Sequence, residues 1–287
     1  MDFSEKQLDY IKYGKNKYDF FVRDVEEAFT NNPFNDHYYI YSEPGYGKTF
    51  QTQHACSKHS IIPLKFEGSL GLFAFAADIA YALTKAPAGN SKIIAVVDDC
   101  DSLFNKGDHI NTVKGMFDPA RHALTYGKAL TGALTSCLDE DQLYALMQFR
   151  TPGKSGFSIP TDRFTFMTLS NRPLASSVDI ENATPSKQQE YKDQNAIRRR
   201  VQYKDLTMDN ETRWGYIAHV ALNYDLAEKF KPDITKEEKI KMLKWCEPGA
   251  RWDKVSDKNL SLIEKMTKDM IRYPKDYLNK WEADYLV

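Results

Sequence analysis

A chain of 287 residues that is 42% hydrophobic can bury one large core and a smaller one, which excludes a disordered or fibrous polypeptide. Its 39 Lys and Arg against 40 Asp and Glu leave a net charge of -1, so no global positive field marks it as a nucleic-acid binder. The scattered Cys56, Cys100, Cys137 and Cys246 form neither a disulfide scaffold nor a zinc-ligand pattern, and no stretch approaches the ~18 apolar residues that span a bilayer. With no apolar signal core after Met1, the expectation is a cytoplasmic protein with reduced thiols and no membrane partner.

Up to about residue 32, apolar residues at helical spacing (Leu8, Ile11, then Phe20, Phe21, Val25, Ala28 and Phe29) predict two helices. A strand at 37–41, a Gly/Pro turn and a helix at 48–59 follow, then a strand at 61–66 and an Ala-rich helix at 70–83. The apolar run 93–97 reads as a buried parallel strand. Residues 146–150 and 156–159 read as a hairpin around 151–155, and 164–169 and 201–203 as two more strands. The polar run 176–193 reads as a mobile loop. Strands alternating with helices predict an α/β fold built on a parallel sheet. Beyond residue 205 the strand signals cease, and amphipathic patterns at 211–226, 236–245, 260–271 and 274–285 predict an all-helical domain. The expected division is N-terminal helices 1–32, an α/β nucleotide-binding domain 33–205 and a helical lid domain 206–287.

Ser42-Glu43-Pro44-Gly45-Tyr46-Gly47-Lys48-Thr49 follows a strand and opens a helix, as a phosphate loop does. Glycines let backbone N–H groups face the phosphates, the lysine reaches the β- and γ-phosphates, and the next hydroxyl ligates Mg²⁺. Ser42 stands where the first glycine is usual. Pro44, Gly45, Tyr46, Gly47, Lys48, Thr49 and Phe50 are therefore expected to bind ATP. Fifty positions after Lys48, the apolar strand ends in Asp98-Asp99-Cys100-Asp101, a Walker B pattern. Thr49 and Asp98 are the expected Mg²⁺ ligands, and Asp99, standing where a glutamate is usual, the expected base for the attacking water, with Asp101 able to share that role.

From these motifs onward the chain resembles the AAA+ superfamily over residues 35–203. Phe164-Thr165-Phe166-Met167-Thr168-Leu169-Ser170-Asn171 looks like the sensor 1 strand, which implies that Asn171 touches the γ-phosphate or the lytic water. Gln194-Asn195-Ala196-Ile197-Arg198-Arg199-Arg200 looks like the arginine-finger segment, with Arg200 and then Arg199 as the residues that would reach a neighbour's ATP. A lid of this family usually supplies a sensor 2 arginine; Gly249-Ala250-Arg251 resembles one version of it, while Ile263 occupies the place many relatives use. The expected hairpin before sensor 1 resembles the branch that includes helicases, the MoxR group and protein unfoldases, and the compact chain looks like stand-alone AAA+ ATPases of tailed phages. The resemblance implies a P-loop NTPase (AAA+) core with a C-terminal helical lid, Mg-ATP hydrolysis, and a ring homo-oligomer, a hexamer, in the host cytoplasm if phage-encoded. The implied work is remodelling of a nucleic-acid-associated partner, DNA or a replication protein, favoured by Arg150, Lys154, Lys106, Lys114, Arg121 and Lys128. Two alternatives stand beside it: a protein remodeller of unfoldase or MoxR type, whose mark would be an aromatic loop at Phe73 although that residue also reads as a core position, and a nucleotide-gated scaffold with little turnover.

Overall fold

The computed structural model describes residues 2–30, 37–68, 70–86, 92–105, 107–127, 131–151, 155–249 and 251–286. In chain order the elements are α1 Glu5–Phe29, β1 Tyr38–Tyr41, α2 Lys48–Lys58, β2 Leu64–Glu67, α3 Leu72–Lys85, β3 Ile93–Asp98, α4 Ser102–Asn105, α5 Gly107–Val113, β4 Ala123–Tyr126, α6 Gly132–Thr135 and α7 Glu140–Gln148. They continue with β5 Phe157–Pro160, β6 Phe164–Ser170, α8 Ser177–Glu181, α9 Pro185–Arg198, β7 Gln202–Asp205, α10 Asn210–Asn223, α11 Lys236–Trp245, a short 3-10 turn Trp252–Lys254, α12 Leu260–Arg272 and α13 Tyr277–Tyr285. The chain forms two compact units, one of residues Met1–Asp24, Glu43–Lys48 and Leu206–Val287, the other of Val25–Ser42 and Thr49–Asp205.

The second unit is α/β. Its five-stranded sheet has the order β2-β3-β6-β1-β7, and every adjacent pair is parallel. Strand β6 is buried along its whole length, so neither face carries a charged residue and only the small hydroxyls of Thr165, Thr168 and Ser170 interrupt its apolar residues. Strands β3, β6 and β1 lie side by side in one direction, with Asp98 opposite Leu169 and Tyr41 opposite Ser170. Their carboxyl ends therefore share one edge, where open parallel sheets hold their ligands.

Two expectations for this unit need correction. Residues 146–150 are not a hairpin strand: Asp139 and Gln142 form a capping box that starts α7, which runs to Gln148. Strand β5 instead pairs antiparallel with β4, and only a bridge from Arg150 to Phe157 remains of the expected hairpin, whose turn residues 152–154 lie outside the described residues. The polar run 176–193 is helical rather than a loop, because Ser176 and Asp179 form a second capping box for α8 and Pro185 opens α9.

The first unit is helical. Trp214, Trp252 and Trp281 are fully buried in its core with Leu243, Ile263 and Met266. The expected pair of N-terminal helices is one continuous α1, because no proline interrupts it and Gly14 permits close packing rather than a break. A Cβ at Gly14 would lie 1.9 Å from the Tyr216 backbone nitrogen, and one at Gly215 would lie 1.8 Å from the Tyr10 carbonyl oxygen, so α1 and α10 cross backbone to backbone. This unit thus takes in the first 24 residues and Glu43–Lys48 as well as the C-terminal helices. No helix among the described residues is long and apolar enough to cross a membrane.

Candidate functional site

Within the helical unit, the Glu43–Lys48 loop has Gly45 at φ +81 and Gly47 at φ +77, left-handed conformations that glycine adopts without strain. A Cβ at Gly45 would also stand 2.6 Å from Cγ of Asn259. The Lys48 ammonium is buried and donates to the Glu43 carbonyl oxygen at 3.4 Å, so its charge curls back over the loop. A cleft of about 370 Å³ opens beside it, lined by Glu43, Pro44, Arg213, Val255, Lys258 and Asn259 among others. Arg213 pairs with Glu43 at 3.0 Å, donates to the Met208 carbonyl oxygen at 3.4 Å and holds its guanidinium 5.8 Å from the Tyr46 ring centroid.

Arg213 carries only a modest signal in the sequence, as an arginine in the first turn of α10, the first helix after the sheet. Arg251 does not line the cleft: it pairs with Glu282 at 3.0 Å and lies over the Trp245 ring at 5.3 Å. Ile263 is a fully buried core residue.

Within the α/β unit, Thr49 Oγ1 donates to Asp98 Oδ2 at 2.5 Å, bringing the two expected Mg²⁺ ligands together. Both offer the hard oxygen donors that Mg²⁺ selects. Among the described residues no group of three or more His, Cys, Asp or Glu is arranged to hold a metal, so an ion at this pair would draw its remaining ligands from water and substrate phosphates, as Mg²⁺ usually does.

Asp99 follows at φ +53, an uncommon conformation for a residue with a Cβ, and its N–H donates to the Leu169 carbonyl at 3.0 Å. Such outliers concentrate where a side chain has to be aimed. Asn171 Nδ2 donates to Asp99 Oδ1 at 2.6 Å, so the expected base and the expected sensor meet. Asp101 is engaged differently. It accepts from Ser170 Oγ at 2.5 Å and faces Arg172 Nε at 3.5 Å, while Tyr39 Oη donates to the Arg172 carbonyl. Burial, and then the neighbouring Asp98, Asp101 and Asp99, push the Cys100 thiol up to about 12, which keeps it protonated and removes it as a nucleophile. Phe50 is half exposed and stacked on His54, with ring centroids 6.3 Å apart.

The three arginines at the end of α9 have different surroundings. Arg198 donates to the Leu174 carbonyl at 2.8 Å and lies 4.0 Å from the Tyr203 ring. Arg200 pairs with Asp118 at 3.1 Å. Arg199 is exposed, and no ion pair engages its guanidinium among the described residues. Of the basic residues weighed for nucleic acid, Arg121 and Arg150 are exposed, Lys114 is held by Asp193 at 2.7 Å, and Lys106, Lys128 and Lys154 lie outside the described residues. Phe73 belongs to α3 and packs edge-on against Tyr126 and Phe157, at 4.9 and 6.2 Å, partly buried against the core as one of its two readings expects.

Compared with known proteins, the chain matches no family model and no curated protein.

Proposed function

We propose that this protein is a Mg-ATP hydrolase of the AAA+ kind. The observation that carries the reading is the pair of contacts at the shared sheet edge, Thr49 with Asp98 and Asn171 with Asp99, reached by a chain that leaves β1 through a loop with two left-handed glycines.

In this reading the loop amides and the Lys48 ammonium hold the β- and γ-phosphates, while Thr49 and Asp98 hold the ion. Bound Mg²⁺ would neutralise charge on the phosphate oxygens. Asp99 accepts the proton of the attacking water, and Asn171 Nδ2 orients either that water or the γ-phosphate. Arg213, beside the loop, adds a planar cation on the lid side of the same loop. Arg199 takes precedence over Arg200 as the finger, because a guanidinium reaching into a neighbour must not be tied within its own chain. The assembly is a homo-oligomeric ring, a hexamer, that remodels DNA or a replication protein. The exposed Arg121 and Arg150 support a nucleic-acid partner, and Phe73, which packs on Tyr126, lends no support to the polypeptide-threading alternative.

The test is steady-state hydrolysis of Mg-ATP by the parent and by Lys48→Ala, alone and with single-stranded DNA, duplex DNA or an unfolded protein. Binding and turnover in the parent, loss of both in Lys48→Ala and stimulation by DNA are expected. Unchanged ATP binding in Lys48→Ala would refute the assignment of the loop.

A further inference from the structure

Two consecutive peptide carbonyls of the 43–48 loop are held by donors from the helices of its own unit. The Gly45 carbonyl accepts the backbone N–H of Leu260 at 3.0 Å, and the Tyr46 carbonyl accepts the buried hydroxyl of Tyr216 at 2.7 Å. Leu260 is the first residue of α12, so its N–H has no partner within the helix and is spent on the loop instead. Tyr216 sits in α10, buried among Tyr18, Tyr46, Met208 and Val220. Burial raises its hydroxyl well above the ordinary tyrosine value, so it remains a donor throughout the working pH range.

A trans peptide is planar, and its C=O and N–H point in opposite directions. Fixing the carbonyls of Gly45 and Tyr46 toward α12 and α10 therefore turns the N–H groups of Tyr46 and Gly47 the other way. Together with the left-handed Gly45 and Gly47, this makes a backbone concavity of the type that receives phosphate oxygens. We infer that Tyr216 and the first amide of α12 are positioning groups that pre-form the anion-binding conformation of the phosphate loop. This rests on the reading of residues 43–48 as a phosphate loop.

Neither group touches phosphate, so each acts on affinity more than on the chemical step. A neutral hydrogen bond of this sort contributes about 0.5 to 1.5 kcal/mol, or roughly two- to tenfold in binding. Tyr216→Phe deletes one oxygen and keeps the ring packing. It is expected to weaken Mg-ATP and Mg-ADP binding by about three- to tenfold, to leave kcat within about twofold, and to speed hydrogen exchange in the 43–49 segment of the nucleotide-free protein. Leu260→Pro removes the other donor at a helix position where proline is tolerated, after an Asn259 whose backbone is already extended, and should have the same signature. Tyr224→Phe, in the same aromatic group but without a bond to the loop, is the control.

Parent-like affinity and parent-like exchange in Tyr216→Phe would overturn the proposal. So would a drop in melting temperature with no selective change in the 43–49 segment. If the parent itself binds no nucleotide, the ATPase reading falls, and the exchange comparison still decides whether Tyr216 orders the loop.

Discussion

Replacing Asp99 and Asp101 one at a time by asparagine separates proton transfer from positioning. In Asp99→Asn the side-chain carbonyl still accepts from Asn171 Nδ2 across the 2.6 Å contact, so the local geometry survives while the basic carboxylate is lost. The expected loss is that of a general base, about 10² to 10⁴ in the hydrolytic rate, with ATP affinity retained. Asp101→Asn weakens the charge-assisted bond from Ser170 Oγ and the contact with Arg172 Nε. The arginine is exposed and its pairing is screened, so the Ser170 bond dominates, at about 1.5 to 3 kcal/mol for a hydrogen bond to a charged group. Only part of that reaches the reaction, through a less well-held end of β6 carrying Asn171. A loss of about tenfold or less is expected, since tenfold corresponds to 1.4 kcal/mol. Single-turnover hydrolysis of Mg-ATP, measured beside equilibrium nucleotide binding, reads both variants. If Asp101→Asn is the slower enzyme, Asp101 is the base and the reasoning from Asn171 is wrong.

Mixing inactive Arg199→Ala with inactive Lys48→Ala should restore part of the ATPase activity if the finger acts across a subunit interface, and no recovery together with a fully active Arg199→Ala would transfer the role to Arg200 or dismiss it. Gly45→Ala places a Cβ at φ +81 and 2.6 Å from Asn259 Cγ, so nucleotide binding should fail and melting temperature drop by a few degrees; a parent-like thermal scan and parent-like binding would contradict the close approach. His37 is buried, and desolvation, then His122 and Lys92, lower its pKa to about 4 from 6.5. The unfolded chain therefore takes up a proton below pH 6.5 that the folded chain refuses, so stability should fall by up to about 3 kcal/mol between pH 6.5 and 4. Urea unfolding across that range, parent against His37→Gln, should show a shallower slope in the variant.

The parallel sheet was legible because β3 opens with an unbroken apolar run and β6 is built of aromatic, apolar and β-branched residues with no charge, and α11 because its apolar residues recur at helical spacing. The helices α8 and α9 escaped because their polar surface outweighed the cap at Ser176 and the proline at 185. Strand β4 escaped for another reason: four residues, Ala123 to Tyr126, acquire their partner only from β5, more than thirty positions later, and pairing at that distance leaves no local trace. The loop and the acidic strand end were proposed from motif chemistry, and Asn171 from the family resemblance. The roles proposed for Arg213 and Tyr216 had no such signal, since each depends on which helix packs beside the loop.

The crossing of α1 and α10 at Gly14 and Gly215 bears on where this chain can be cut. Phe3 and Tyr10 stand edge-on to the buried Trp214, at 6.0 and 6.3 Å, so the opening segment is a wall of the helical core. A protease that clips near residue 24, or an expression clone that begins at residue 33, would leave an indole and a glycine backbone facing water. The product should precipitate or recruit chaperones, and adding back a peptide of the first 24 residues should rescue it.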